Sequence, residues 1–198
     1  MTPVTDISQL NPAEAYTYAD YLLWKFRERV ELIKGKIFKM SPAPSRKHQE
    51  ISWVLARYVD KAFSNFSCKM YTAPFDVRLT KSDSNVSDEE IHTVVQPDLC
   101  IICDLDKLDD KGCIGAPDLI IEILSPGNSQ KEMGVKFTLY EENGVREYWM
   151  VDAAEKSIFV YVHKNGKYVG LKPFIESELV KSEIFPQLEI PVDNIFKD

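Results

Sequence analysis

The chain has 198 residues, of which 44% are hydrophobic and 28% charged, and its formal net charge is −7 at pH 7. This size and balance predict one globular domain over residues 1–198, and the acidic total argues against a simple nonspecific nucleic-acid binder. No segment approaches the roughly 18 uninterrupted apolar residues of a membrane span. The first residues have neither a basic leader nor an apolar stretch, so we expect a cytoplasmic protein with reduced cysteines.

Charge is unevenly distributed along the chain. The segment from Lys25 to Lys47 has eight Lys or Arg residues against two Glu, a local +6. The segment from Asp76 to Lys111 has ten Asp or Glu residues against four basic ones, a local −6. This pattern is compatible with a basic groove beside an acidic, cation-binding centre, and equally with an unevenly charged solvated surface.

The N-terminal third is predicted to contain two helices and a hairpin. A helix over 17–28 would be capped by Thr17. Two β-rich runs over 30–40 surround a Lys-Gly turn and predict a hairpin. A regular apolar periodicity then predicts an amphipathic helix over about 46–63.

Three strands are predicted in the middle of the chain, at 68–79, 94–103 and 117–124. An acidic, exposed loop at 80–90 separates the first two strands. A short polar connector at 104–115 joins the last two, and a short connection favours antiparallel neighbours.

The C-terminal part adds a helix, a strand and a hairpin. The helix is predicted from the capping-box spacing of Ser129 and Glu132 to a stop at Asn143-Gly144. A strand at 146–152, a hairpin with an Asn-Gly turn and a terminal strand pair or edge follow. The core order is helix, three strands, helix, strand, which predicts the α/β class with a mixed sheet and appended hairpins.

Glu122 lies in the middle of the apolar run "APDLIIEILSP", where a carboxylate is costly unless it is hydrogen-bonded, paired or bound to metal. Because strand residues alternate in direction, Asp98 on the preceding strand could converge with Glu122 if the strands are neighbours. Two carboxylates in apolar surroundings repel each other, and a Mg²⁺ ion would remove that penalty. Alternatively, Asp98 and Asp118 are turn residues after proline and Glu122 pairs with a basic side chain.

Three segments carry a family resemblance: "VVQPDLCII", "APDLIIEILSP" and "KEMGVKFTLYEENGVREYWMVD". They resemble the Uma-two type of restriction-endonuclease domain in the PD-(D/E)XK nuclease superfamily, and the resemblance extends over most of the chain. It implies a restriction-endonuclease-like core and metal-dependent phosphodiester hydrolysis. It also implies that Asp98 and Glu122 bind Mg²⁺ or Mn²⁺, whereas Asp118 has a turn role.

The chain departs from the superfamily pattern at Leu124, where a lysine is expected two residues after the glutamate. The resemblance implies that Lys136 on the following helix replaces it. The long stem of Lys136 could cross apolar surface near Phe137 and present its ammonium group to the carboxylates. The alternative is an ordinary surface lysine paired with Glu132.

Other polar residues have both functional and structural interpretations. His48 lies near the apolar face of its helix and is a catalytic candidate, although a core or capping histidine is the commoner outcome. Glu31 resembles a family position, but a hairpin glutamate could simply pair with a lysine. Cys100 and Cys103 point to opposite faces of a strand and lack a full zinc set, so we predict core cysteines.

The sequence therefore predicts a metal-dependent DNA endonuclease, with Asp98 and Glu122 as metal ligands and Lys136 and His48 assisting. The basic segment from Lys25 to Lys47 would contact the DNA backbone. A homodimer is expected because cutting both strands of a duplex needs two sites. Two other classes stay open: a noncatalytic nucleic-acid-binding or assembly module, and a thiol-metal protein that uses the cysteines.

Overall fold

The computed structural model describes residues 2–40, 43–81, 86–124 and 130–197, with only the backbone for 130–132. The helices are α1 (Tyr18–Tyr21), α2 (Arg46–Phe63), α3 (Gln130–Glu142) and α4 (Val192–Phe196). The strands are β1 (Val30–Ile33), β2 (Lys36–Lys39), β3 (Lys69–Thr72), β4 (Val77–Arg78), β5 (Val94–Val95), β6 (Leu99–Ile102), β7 (Leu108–Asp109), β8 (Gly112–Ile114), β9 (Leu119–Leu124), β10 (Glu147–Asp152), β11 (Ser157–Lys164), β12 (Lys167–Gly170), β13 (Leu179–Lys181) and β14 (Glu189–Pro191). None of the described helices is long and apolar enough to cross a membrane.

Within the described residues the strands form two six-stranded sheets and one two-stranded sheet. The N-terminal sheet has the order β2-β1-β5-β4-β8-β7, and the central sheet has the order β12-β11-β10-β9-β6-β3. Each is mixed, because β4 pairs with β8 and β9 pairs with β10 in parallel while the other neighbours are antiparallel. Helix α2, strands β3, β6 and β9, helix α3 and strand β10 form the predicted restriction-endonuclease-like core. The α/β class is confirmed.

Two predicted strands are each divided between the sheets. The run 68–79 forms β3 of the central sheet and β4 of the N-terminal sheet, and the run 94–103 forms β5 and β6 in the same way. Pro74 and Pro97 lie at the divisions, and proline has no amide hydrogen to donate to a ladder. The prediction of two uninterrupted strands was therefore wrong, and Asp98 follows the point where the chain changes sheet.

Helix α1 is much shorter than the predicted helix over 17–28. Thr17 is its N-cap as predicted, and the Thr17 and Asp20 side chains accept hydrogen bonds from each other's backbone amides. The regular helix ends at Tyr21, after which the amides of Leu23 and Trp24 donate to carbonyl oxygens only three residues back. The amide of Lys25 donates to the carbonyl oxygen of Val4 at 2.7 Å.

Helix α2 has the predicted bounds and packs on one face of the central sheet. Ser45 caps it by accepting a hydrogen bond from the amide of His48 at 3.2 Å. The buried side chains recur at helical spacing and share a core with alternate residues of the sheet: Ile51, Leu55, Val59, Phe63, Leu99, Ile121, Ile123 and Trp149. This packing places the first turn of α2 beside the beginning of β6.

Helix α3 and the N-terminal sheet cover the opposite face of the central sheet. Their shared core includes Ile33, Val77, Cys100, Ile120, Leu139, Tyr140 and Tyr148. Because side chains alternate along β9, Glu122 is on the same face as Ile120, toward α3. The cap predicted from Ser129 and Glu132 lies outside the residues described in full.

The turn predictions are confirmed, and some small elements were not predicted. Lys34-Gly35 and Asn165-Gly166 have the positive φ angles of tight hairpin turns. The connector at 104–115 contains the hairpin β7-β8 rather than only loop. The C-terminal strand pair β13-β14 is present, and the short helix α4 follows it.

The cysteine expectation was wrong for one pair. Cys68 and Cys103 form a disulfide. They flank the paired residues Lys69 and Ile102 of β3 and β6, so the antiparallel register makes them neighbours. Cys100 and Cys113 are free and buried, as expected of core cysteines.

Candidate active site

Asp98 and Glu122 are brought together by adjacent antiparallel strands. Leu99 of β6 pairs with Ile121 of β9, so the same register places Asp98 opposite Glu122. The amide of Ile123 donates to Oδ2 of Asp98 at 2.8 Å, which fixes the aspartate against the neighbouring strand. Both carboxylates line one cavity.

Lys136 connects two carboxylates from different sheets. Its Nζ donates to Oε1 of Glu122 and to Oε1 of Glu31, each at 2.9 Å. The side chain of Lys136 is 20% exposed, and those of Glu31 and Glu122 are 5% and 11% exposed. The alternative in which Lys136 is an ordinary surface lysine is therefore wrong.

Glu31 belongs to this site, although the sequence argument did not include it among the site residues. It pairs with a lysine, as one interpretation predicted, but that lysine is Lys136. All four residues of β1, Val30–Ile33, are buried. Glu31 therefore shows the same sequence signal that identified Glu122: a glutamate within a buried run.

Helix α3 supplies a second donor to Glu122. The hydroxyl of Tyr140, one turn after Lys136, donates to the same oxygen, Oε1, at 2.6 Å. Burial raises the pKa of Glu122 to about 7, although the ammonium group of Lys136 opposes that rise. Burial alone would lower the pKa of Lys136, but Glu122 and Glu31 raise it above its ordinary value, so the lysine stays charged.

His48 contacts Asp98 from the first turn of α2. Its Nε2 lies 3.3 Å from Oδ2 of Asp98, and this hydrogen bond raises the pKa of His48 while burial opposes the rise. Its Nδ1 is buried without a hydrogen-bond partner among the described residues. Asp98 is thus held from two sides, by His48 and by the backbone of Ile123.

The cavity has a volume of about 430 Å³. One part of its lining is charged or polar and includes Arg29, Glu31, Lys39, His48, Gln96, Asp98, Glu122 and Lys136. The other part is mainly apolar and includes Phe38, Met40, Pro44, Trp53, Ala56 and Met70. Such a combination of apolar lining residues and a few converging polar groups is typical of a ligand site.

The donor set fits a hard divalent cation. Hydrogen bonds in the described chain involve Oδ2 of Asp98 and Oε1 of Glu122, and the second oxygen of each carboxylate has none there. No group of three or more His, Cys, Asp or Glu side chains in the described residues is arranged to enclose a metal. Mg²⁺ often binds through only one or two carboxylates, with water and substrate phosphate as the remaining ligands. The pair therefore fits Mg²⁺ or Mn²⁺ better than structural zinc.

Asp118, the aspartate of the second Pro-Asp sequence, has structural partners and does not line this cavity. Its Oδ2 accepts a hydrogen bond from the amide of Cys103 at 2.8 Å. Its Oδ1 accepts one from Nη1 of Arg146, also at 2.8 Å. These contacts tie Asp118 to residues distant in the sequence rather than within a local turn.

Comparison with known proteins gives the family. Residues 18–193 match the model of the Uma2 family, which is described as "Putative restriction endonuclease". The chain is 26% identical over 167 residues to the uncharacterized protein slr1290 of Synechocystis sp., covering 83% of this chain and 79% of that protein. The crystal structure of a DUF820 protein from Anabaena variabilis, titled a "putative nuclease", is similar with a TM-score of 0.69 and 21% identity. That likeness covers 91% of this chain and 97% of the other, and it supports the fold. The chain therefore belongs to the Uma2 family, as its sequence motifs indicated.

Proposed function

We propose that this chain is a Mg²⁺- or Mn²⁺-dependent endonuclease that hydrolyses DNA phosphodiester bonds. The observation that carries the proposal is the placement of Asp98 opposite Glu122 on adjacent strands, with Lys136 bound to the same glutamate. Membership of a family of restriction-endonuclease-like proteins supports nuclease chemistry in general. The metal, the DNA substrate and the roles of the residues are part of the proposal.

Asp98 and Glu122 would hold the cation through the oxygens that are not engaged by Ile123, Lys136 or Tyr140. When bound, Mg²⁺ supplies Lewis-acid stabilisation of the phosphate and lowers the pKa of a water molecule. The hydrogen bonds to the other oxygens would keep both carboxylates in place before the metal arrives. This preorganisation reduces the cost of assembling the site.

Lys136 would stabilise negative charge on the phosphate at the same end of the cavity. It supplies from helix α3 the cation that Leu124 cannot supply from β9. Glu31 would position the ammonium group, because its Oε1 accepts a hydrogen bond from Nζ at 2.9 Å. His48 would act mainly by orienting Asp98.

Two cations of the basic segment would contact the DNA backbone. Arg29 and Lys39 line the cavity. Other members are engaged elsewhere: Lys34 pairs with Glu142 at 2.6 Å, and Lys36 donates to carbonyl oxygens of the N-terminal segment. We further propose that a homodimer cuts the two strands of a duplex, because each strand needs its own site.

One observation favours a second function. Lys136 neutralises part of the charge of Glu122 and Glu31 without any metal. The two carboxylates are therefore stabilised in the absence of a cation. A chain of this kind could act as a noncatalytic nucleic-acid-binding module. The two functions differ in one property: only the nuclease needs the divalent cation.

The decisive experiment is cleavage of supercoiled plasmid and of branched DNA with Mg²⁺, with Mn²⁺ or with EDTA. Wild type is compared with the Asp98→Asn, Glu122→Gln and Lys136→Met variants, and Asp118→Asn is the matched control from the second Pro-Asp sequence. Circular dichroism checks that each variant is folded. Metal-dependent cutting that only the three site variants lose is the expected result. Metal-independent DNA binding without cutting would replace the proposal by the binding module.

A further inference from the structure

Trp53 is the most exposed of the large hydrophobic side chains in the described residues, with 67% of its surface accessible. It is also part of the cavity lining that contains Asp98 and Glu122. A large apolar side chain in water at the edge of a charged cavity contributes little to the core. Its position therefore calls for a ligand with a flat apolar surface.

The residues Met40, Pro44, Trp53, Ala56 and Met70 form what we call the apolar wall of the cavity. Helix α2 contributes Trp53, which is exposed, and Ala56, which is partly buried and also packs against the core under the helix. The rise of an α-helix places these two residues about 7 and 12 Å along the axis from His48. Because His48 contacts Asp98, Trp53 and Ala56 lie farther along the axis of α2 from the carboxylate end than His48 does.

Strand β3 contributes Met70 to the apolar wall. The amide of Ala73 donates to the carbonyl oxygen of Asp98 at 3.2 Å, which places this end of the strand at the carboxylates. Met70 lies three residues away, or about 10 Å along an extended strand. A ligand that reaches from the carboxylate end to Met70 must span about 10 Å, and its part at the carboxylate end would be anionic when the proposed divalent cation is bound there.

We infer that the apolar wall binds an unstacked nucleobase, with Trp53 as the stacking surface, next to the phosphate bound at the carboxylate end. This inference rests on the proposed function and specifies its substrate. Arg29 and Lys39 in the same lining complement the charge of the adjacent backbone. Bases have flat π faces, and stacking on an aromatic side chain tolerates any base.

A duplex fits this arrangement only where one nucleotide has left the base stack. In B-form DNA the base faces are covered by neighbouring bases, and only the base edges are accessible in the grooves. A base can reach Trp53 only in a single strand, at a flap or bulge, or after extrusion from the stack. The substrate class is therefore DNA with an unpaired or displaced nucleotide beside the scissile phosphate.

The test uses fluorescence anisotropy with three labelled probes of equal length: single-stranded DNA, the matching duplex and an abasic strand with the same phosphates. Binding is measured with Ca²⁺ and with EDTA. Wild type should prefer the single strand to the abasic strand. Trp53→Leu should lose that preference, binding the single strand roughly 5- to 100-fold more weakly, whereas Trp53→Phe should retain most of it.

Phe66→Leu is the matched control, because Phe66 is an exposed aromatic residue that does not line the cavity. Acrylamide quenching of tryptophan fluorescence gives a second measurement: single-stranded DNA should protect wild type, and the protection should disappear in Trp53→Phe. Equal affinity of wild type and Trp53→Leu for single-stranded DNA would overturn the inference. A loss of affinity that is equal for the abasic strand would also overturn it.

Failure of the inference and failure of the proposed function have different signatures. If no cleavage occurs but base-dependent binding needs Trp53, the nuclease proposal fails and the base-binding site stands. If cleavage needs Asp98 and Glu122 but Trp53→Leu cuts and binds every probe like wild type, the nuclease proposal stands and the base-binding inference fails. If Trp53→Leu instead changes only the mass in sedimentation velocity, Trp53 is a subunit contact and the inference is wrong.

Discussion

Lys136 and Glu122 are in direct contact, with Nζ 2.9 Å from Oε1, although one lies on helix α3 and the other on strand β9. The contact joins β9 to α3, the element that follows it along the chain. Glu31, from the N-terminal sheet, binds the same ammonium group. One lysine therefore couples both sheets and helix α3 at the candidate site.

The first prediction concerns stability. Lys136→Met should lower the free energy of unfolding by about 3–5 kcal/mol, because two largely buried carboxylates lose their cation. The double variant Lys136→Met/Glu122→Gln should be more stable than Lys136→Met alone, since one of the unpaired charges is removed. Urea unfolding of the full cycle gives the coupling energy. Purely additive effects would mean that the contact carries no such energy.

A second prediction separates positioning from binding. Glu31→Gln should slow metal-dependent cleavage by about 10- to 100-fold, because the ammonium group of Lys136 loses one of its two anchors and shifts. DNA affinity should stay close to that of wild type, since Glu31 is an anion and would not hold phosphate. Single-turnover cleavage rates and anisotropy titrations measure the two quantities. A variant with normal cleavage and weaker binding would contradict the positioning role.

A third prediction concerns the DNA backbone. Arg29→Ala should weaken DNA binding and reduce the slope of log K against log salt by about 1, because one phosphate contact is lost. Lys34→Ala is the control, since Lys34 pairs with Glu142 and does not line the cavity. Titrations at several salt concentrations compare the two. Equal slopes for both variants would place the DNA elsewhere.

The parts of the site that could be predicted from sequence depend on local rules. Alternation along the strands could bring Asp98 to Glu122 if the strands were neighbours, as they are in the structure, and the resemblance selected the same pair. The apolar periodicity of α2 gave its bounds, because that signal is local. Lys136 came from the resemblance. The residues between the strand of Glu122 and the helix of Lys136 were not predicted to form a strand or a helix, so local rules did not fix how that helix lies relative to Glu122.

The parts that could not be predicted depend on long-range packing. The run "VELI" carries the same signal as Glu122, a glutamate among apolar residues, but the contact of Glu31 with Lys136 forms because the N-terminal sheet packs against the central one. The disulfide of Cys68 and Cys103 depends on the register of β3 and β6. Beyond the early end of α1, Trp24 forms a bridge with Val4. Each is a contact between segments whose proximity is set by the whole fold.

The last prediction concerns Glu147, which is fully buried at the base of β10, away from the candidate site. Its carboxylate accepts hydrogen bonds from Nε1 of Trp149 at 2.6 Å and from the amides of Glu183 and Ile184 at 2.9 and 3.0 Å. Burial nevertheless raises its pKa above the ordinary 4.5, although the Trp149 bond opposes the rise. At a pH between 4.5 and this raised pKa, the folded state therefore retains a proton that the unfolded state has already lost.

The sign of the pH dependence follows from that difference. The contribution of Glu147 to stability is greatest below pH 4.5 and falls as the pH rises toward the raised pKa of the folded state. Glu147→Gln removes this titration, so the unfolding free energy of wild type minus that of the variant should decrease with rising pH, by at most about 1.4 kcal/mol per pH unit. Urea unfolding from acidic to neutral pH measures the trend, and Glu155→Gln, an exposed site, corrects for the change in net charge. A difference that is constant with pH, or that increases, would mean that the three hydrogen bonds outweigh the burial of Glu147.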